Sequence, residues 1–230
     1  MSAIWQAIIN GFLKVIEPVV TLMVRWRVHP NVLTTVGTAA SVASGIAFGV
    51  GSIRLAGFIV GICAIFDVLD GVVARRTNQA TVFGAFYDST LDRVADGALL
   101  GGMLYFYATH AVYGSRVMVV ICLLALIGTF IISYTRARAE ALGIDAKVGF
   151  LQRPERVVLI SVPTAFGGLA FNGGILVAVV CILAVSSWIT AVQRVLYVRR
   201  ATETTAPTTI RVINEKKKLS ARFASRRAQS

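Results

Sequence analysis

Asp67-Val68-Leu69-Asp70-Gly71-Val72-Val73-Ala74-Arg75, followed eight residues later by Gly84-Ala85-Phe86-Tyr87-Asp88-Ser89-Thr90-Leu91-Asp92, sets four carboxylates into apolar sequence. The chain has six aspartates, and with Asp96 five of them fall in this neighbourhood. An ionised carboxylate in apolar surroundings is costly unless it is paired or coordinates a metal. Spacing supplies a reason for the cluster. In a helix over 54–75, Asp67, Asp70, Gly71 and Ala74 recur at i, i+3, i+4 and i+7 and share a face. In a helix starting near Gly84, Gly84, Asp88 and Asp92 share a face as well. The polar link between them predicts an antiparallel hairpin with two carboxylates from each helix meeting at its mouth. No basic partner is expected inside that cluster, so divalent cations must separate the charges. All-oxygen ligation suits Mg²⁺ or Mn²⁺, and two such ions about 3.5–4 Å apart form a clamp for phosphate chemistry. Gly71, Ala74 and Gly84 leave room for a substrate against the backbone. Asp96 lies about 12 Å along the helix from Asp88, beyond reach of the same ions.

Composition sets the surroundings. The 230 residues are 56% hydrophobic and 15% charged, with a mean hydropathy of +0.74. Soluble domains run nearer a quarter charged, so the chain reads as an all-α polytopic membrane protein with one membrane domain over 1–200. No cleavable signal peptide is evident. Cys63, Cys122 and Cys181 lie in separate apolar runs and read as small buried hydrophobes. His29 and His110 are isolated, so no Cys/His metal site is expected. The net charge is +12, concentrated in the C-terminal tail and around 25–27, 75–76, 136–156 and 194–200. In a membrane chain that distribution points to a cytoplasmic face and anionic headgroups, and not to nucleic acid.

Outward from the aspartates, the apolar pattern predicts an N-terminal interfacial amphipathic helix within 1–27, its apolar face carried by residues 3–20. Asn31 is the expected cap of the first span. Six transmembrane helices follow, over 32–50, 54–75, 84–109, 116–139, 154–172 and 174–198, each near the ~20 residues a bilayer requires. The turns on one side carry only Arg54 and Arg116; the other side carries nearly all remaining Lys and Arg. The positive-inside rule then puts both termini and the aspartate mouth in the cytoplasm, at the plasma membrane. Small residues crowd the first span and allow close helix packing. Residues 201–230 lack a core pattern and read as a basic, disordered cytoplasmic tail.

Residues 133–156 form a second informative region. Pro154 suits the first turn of a helix, and Arg153 and Arg156 at that positive end make an anion site. Positive-inside topology alone would also call for arginines here, and the two readings stay open on the residues. Arg194, about a turn from the interface, either snorkels or points inward.

The string D-x2-D-G-x2-A-R-x8-G-x3-D-x3-D stands complete from Asp67 to Asp92, eight fixed positions across 26 residues. It resembles the signature of the CDP-alcohol phosphatidyltransferases, membrane enzymes of phospholipid synthesis. Arg136-Ala137-Arg138-Ala139-Glu140, Arg153-Pro154-Glu155-Arg156 and Gln193-Arg194 resemble the phosphatidylinositol phosphate synthase branch of that family. The resemblance implies transfer of a phosphatidyl group from CDP-diacylglycerol to inositol 3-phosphate, releasing CMP. It implies that Asp67, Asp70, Asp88 and Asp92 hold two metal ions and that Asp92 also serves as general base. Arg75 would meet the diphosphate, and Asn31, Thr34, Gly71 and Thr81 would line the cytidine side. Arg136, Arg156 and Arg194 would bind the acceptor phosphate. Arg136 departs from the lysine common at its position, keeping the charge. The resemblance also implies a homodimer. Glycerol 3-phosphate is the alternative acceptor, which three arginines do not exclude. A divalent-cation transporter is the remote alternative, but symmetric halves and broken midplane helices are missing from the sequence.

Overall fold

The computed structural model describes residues 16–146 and 148–203, and all regular structure among them is α-helical. Six helices follow in order: α1 (Pro30–Gly49), α2 (Ile53–Arg76), α3 (Val82–Thr109), α4 (Arg116–Ala141), α5 (Arg153–Gly167) and α6 (Gly174–Glu203). Residues 16–25 form a further helical segment before α1. Most of the expected amphipathic helix over 3–20, and the tail beyond residue 203, lie outside the described residues.

Short polar side chains start the helices. The Thr81 hydroxyl accepts from the Gly84 N–H at 2.9 Å and the Ser115 hydroxyl from the Met118 N–H at 3.3 Å, each satisfying a donor that has no intrahelical partner. At α5 the Gln152 N–H donates to Glu155 Oε2 at 2.8 Å, half of a capping box, with Pro154 in the first turn as expected. The cap of α1 differs from expectation. His29, not Asn31, holds that place: its Nδ1 accepts from the Asn31 N–H at 3.2 Å, and Pro30 opens the helix.

Four helices, α1, α2, α4 and α6, are long and apolar enough to cross a membrane. The other two expected spans fall short of that description for different reasons. Helix α3 carries Asp88, Asp92, Arg93 and Asp96. Helix α5 stops at Gly167, five residues before the expected end, where Gly168 takes φ +54° and turns fill 168–173. Its 15 residues rise only about 22 Å.

The packing overturns one expectation about the aspartate hairpin. Helices α2 and α3 do not pack on each other. Both pack on α1, while α2 also packs on α5, and α4 packs on α3 and α6. The two acid-bearing helices are joined through one shared neighbour, α1, and the gap between them is where the site forms. Small residues make those contacts close. A Cβ on Gly45 would run into the Ala98 carbonyl, and one on Gly102 into that of Gly45, so α1 and α3 meet backbone to backbone. The main core gathers Phe48, Val60, Met103, Phe106, Leu176 and Val180. A second cluster joins Ile16 and Val20 to Leu33, Leu69 and Val73 beneath the aspartate end of α2. There Arg76 donates from both Nη atoms to Glu17 at 2.7 Å each. Those hydrogen bonds hold the exposed Glu17 carboxyl below its usual range.

Candidate active site

The carboxylates come from α2 and α3 and face one another across the gap. Asp70 is buried, and its Oδ2 accepts from the Thr34 hydroxyl at 2.8 Å. Asp67 and Asp92 are joined by a residue from a third helix. Arg153, first residue of α5, donates from Nη1 to Asp67 Oδ2 at 2.7 Å and pairs through Nη2 with Asp92 Oδ1 at 2.6 Å. Arg93 Nη2 stands 3.6 Å from both Asp92 Oδ2 and Asp96 Oδ2. The Asp88 side chain makes no hydrogen bond or ion pair among the described residues. The expected absence of basic partners is therefore corrected: Arg153 and Arg93 both reach the acids. Arg153, read from sequence with the anion site, is turned toward the carboxylates. One signal was available, since acids this dense in apolar sequence require a counter-charge and Arg153 lies one turn from Arg156.

Two cavities open on either side of this cluster. One, of about 200 Å³, is lined by Asn31, Thr34, Gly71, Arg75 and Thr81 together with Asp70 and Asp88. All five residues assigned to the nucleotide side thus share one space. Arg75 folds back over Gly71, where a Cβ would sit 3.4 Å from its Nη1. The other cavity, about 940 Å³, is lined by Arg136, Arg153, Arg156 and Arg194 with Asp88 and Asp92. The three arginines assigned to the acceptor phosphate therefore also share one space. Asp88 borders both cavities.

Each arginine is positioned by a different partner. Arg136 Nε pairs with Glu140 at 2.9 Å. Arg156 is buried, donates from Nη1 to the Thr129 hydroxyl at 3.3 Å, and leaves Nε without a partner among the described residues. Arg194 points inward instead of snorkelling: it donates to the Ile132 carbonyl at 2.6 Å and the Val148 carbonyl at 2.9 Å. Guanidinium N–H groups remain on all three. Asp96 lies beyond Asp92 on the far side of Arg93, lining a small neighbouring cavity with Thr129, Arg153 and Arg156.

The donor set fits a hard divalent cation in kind: four carboxylates from facing helices, two of them already spanned by a positive group. Among the described residues no three carboxylates surround a single point, and the guanidinium lies between Asp67 and Asp92.

Comparison with known proteins bears on this arrangement. The family model for CDP-alcohol phosphatidyltransferase matches residues 27–198. The phosphatidylinositol phosphate synthase of Mycobacteroides abscessus is 38% identical over 194 residues, 82% of this chain and 85% of that one. Its counterpart from Streptomyces avermitilis is 37% identical over 196 residues, 82% and 80% of the two chains. The crystal structure of Mycobacterium tuberculosis phosphatidylinositol phosphate synthase with CDP-DAG bound superposes with a TM-score of 0.73 at 36% identity, covering 80% of this chain and 94% of that one. A second structure of that enzyme, in complex with manganese and citrate, gives 0.72 at 36% identity, covering 79% and 87%. The match runs through the helices that carry the acids and both cavities, and on that footing this chain is a membrane transferase belonging to the CDP-alcohol phosphatidyltransferase family.

Proposed function

We propose that the chain transfers the phosphatidyl group of CDP-diacylglycerol to inositol 3-phosphate, yielding phosphatidylinositol phosphate and CMP. One observation carries the reading: two cavities meet at Asp88, the first with the nucleotide-side residues, the second with three arginines from α4, α5 and α6. The reaction needs a donor diphosphate and an acceptor hydroxyl on opposite sides of one phosphorus. The names of the relatives point to the same products.

In this reading Asn31, Thr34, Gly71 and Thr81 hold the cytidine end and Arg75 meets the diphosphate. Arg136, Arg156 and Arg194 hold the acceptor by its phosphate, in the cavity that Asp92 borders. Asp92 takes the proton of the attacking hydroxyl as its oxygen bonds to the phosphorus bearing diacylglycerol. The bond to the CMP oxygen breaks on the far side. Asp67, Asp70, Asp88 and Asp92 would hold two Mg²⁺ or Mn²⁺ ions, Asp67 and Asp88 touching both. Bound there, such ions supply neutralising charge for the diphosphate and for the leaving phosphate. The manganese complex of the tuberculosis enzyme supports a divalent cation.

The same reading takes α3 and α5 as the remaining two of six spans, their polar faces turned to the site. It places the active site and both ends of the chain on the cytoplasmic side of the plasma membrane, a placement the arginine distribution supports. It also takes the functional unit to be a homodimer. The deciding experiment is CMP release from CDP-diacylglycerol by the purified protein, with inositol 3-phosphate, free inositol, glycerol 3-phosphate and serine compared. Turnover selective for inositol 3-phosphate supports the reading. Preference for glycerol 3-phosphate would move the chain to phosphatidylglycerophosphate synthesis, and no CMP release with any acceptor would end the proposal.

A further inference from the structure

Arg153 occupies an unusual position for a residue beside an anion cavity. Its guanidinium spans α2 and α3, bonded to Asp67 at 2.7 Å through one Nη and to Asp92 at 2.6 Å through the other. No other basic side chain among the described residues bonds carboxylates on both helices. The same side chain also lines the large cavity that holds Arg136, Arg156 and Arg194. Its Nε is buried without a partner, so the guanidinium is not locked at every N–H.

Resting on the metal site proposed above, we infer that Arg153 is a resident counter-cation of the carboxylate cluster. It competes with divalent cations for Asp67 and Asp92, and when displaced its guanidinium turns into the neighbouring cavity as a fourth positive group for a phosphorylated acceptor. Three features carry this. Asp67 Oδ2 and Asp92 Oδ1 each accept one short charge-assisted N–H bond, and a divalent ion drawn to the same carboxylates would share one half-buried space with the guanidinium and be repelled by it. Arginine cannot relieve that conflict by losing its proton, so it must move. The destination is already at hand, because Arg153 borders the large cavity. The choice of arginine fits too. Its planar fork bridges two separate carboxylates, which the single ammonium of lysine does less well.

The consequence is coupling. A metal ion frees the guanidinium for the acceptor, and an anion in the cavity draws the guanidinium off the acids. Each ligand therefore raises the affinity for the other, and the effect is reciprocal.

The test uses the full chain purified in detergent, with Mn²⁺ alone and inorganic phosphate as probes. In Arg153→Gln, Mn²⁺ affinity measured by calorimetry should rise about ten- to a hundredfold, the factor that a charge-assisted hydrogen-bonded pair is worth. Phosphate should tighten Mn²⁺ binding in the wild type and lose most of that effect in Arg153→Gln. A purely structural ion pair would give unchanged or weaker Mn²⁺ binding in the variant and no loss of the phosphate effect, and that result overturns the inference. Asp88→Ala distinguishes the two levels of the argument, because Arg153 does not bond Asp88. If wild type binds Mn²⁺ and Asp88→Ala does not, the metal reading stands whatever Arg153→Gln shows. If wild type binds no Mn²⁺, the metal reading fails and takes this inference with it. Should Arg153→Gln fail to fold, Arg153→Lys carries the test: it keeps the charge and loses the bridge, so Mn²⁺ affinity should rise by a smaller factor, and no rise overturns the inference.

Discussion

At the scale of single residues, the four aspartates are not equivalent, and their surroundings separate them. Asp92 borders the arginine cavity, where an acceptor hydroxyl would approach. Asp92→Asn should lower kcat by about 10²–10⁴-fold, the usual loss for a general base, while CDP-diacylglycerol binding survives at least in part. Near-normal kcat would remove Asp92 from that role. Asp67→Ala and Asp88→Ala should each abolish turnover and Mn²⁺ binding together, since both are assigned to both ions. Asp96 faces Arg93 and a separate small cavity, so Asp96→Asn should be milder. An Asp96 variant as inactive as the Asp88 variant would show that the ligand set is misassigned. The arginines divide from the acids in their kinetic signature. Replacing Arg136, Arg156 or Arg194 with Ala should raise the acceptor KM about ten- to a hundredfold and leave the KM for CDP-diacylglycerol nearly unchanged. Wild-type acceptor KM in all three variants would refute the phosphate pocket.

At the scale of helices, the site depends on α1 being thin. Helix α1 packs on both acid-bearing helices, and at Gly45 its backbone meets that of α3 at Ala98 and Gly102. Gly45→Ala gains about 1 kcal/mol in helix propensity but drives a Cβ into backbone that cannot give way. Overpacking of that kind typically costs about 1–3 kcal/mol, so the net effect should be destabilising. Gly101→Ala is the control: nothing lies within 4 Å of its Cβ, and the propensity gain should stand alone. Thermal unfolding in detergent should lower the midpoint for the first and keep or raise it for the second. Equal midpoints would mean that the α1–α3 contact is looser than its geometry.

At the scale of the molecule, the acids, both cavities and most arginines lie at one end of the bundle, and the turns at the other end are short and poor in charge. In the proposed orientation, which follows the positive-inside rule, the charged end faces the cytoplasm. Leu142 and Val112 are exposed just beyond opposite ends of α4 and report the two sides. In a background with Cys63, Cys122 and Cys181 replaced, Leu142→Cys should react with a membrane-impermeant maleimide only in inside-out vesicles. Val112→Cys should react only in right-side-out vesicles. The reverse pattern would invert the orientation.

Much of this molecule follows from local sequence alone. Apolar runs and short polar caps determine where most of the helices begin and end, because both signals act within a few residues, and the i, i+3, i+4 and i+8 spacings determine which acids share a face. The eight-position signature determines the family. The sequence did not reveal that α2 and α3 stand apart, because neighbours in the chain need not be neighbours in the bundle and the wedge is a third helix, α1. Nor did it place Arg153 on Asp67 and Asp92, a contact across 86 and 61 positions set by how α5 docks on α2. Local periodicity carries no information about such distances. The carboxylates were legible as a set; their counter-charge, and the two cavities that meet at Asp88, were decided only by the packing of helices from the whole chain.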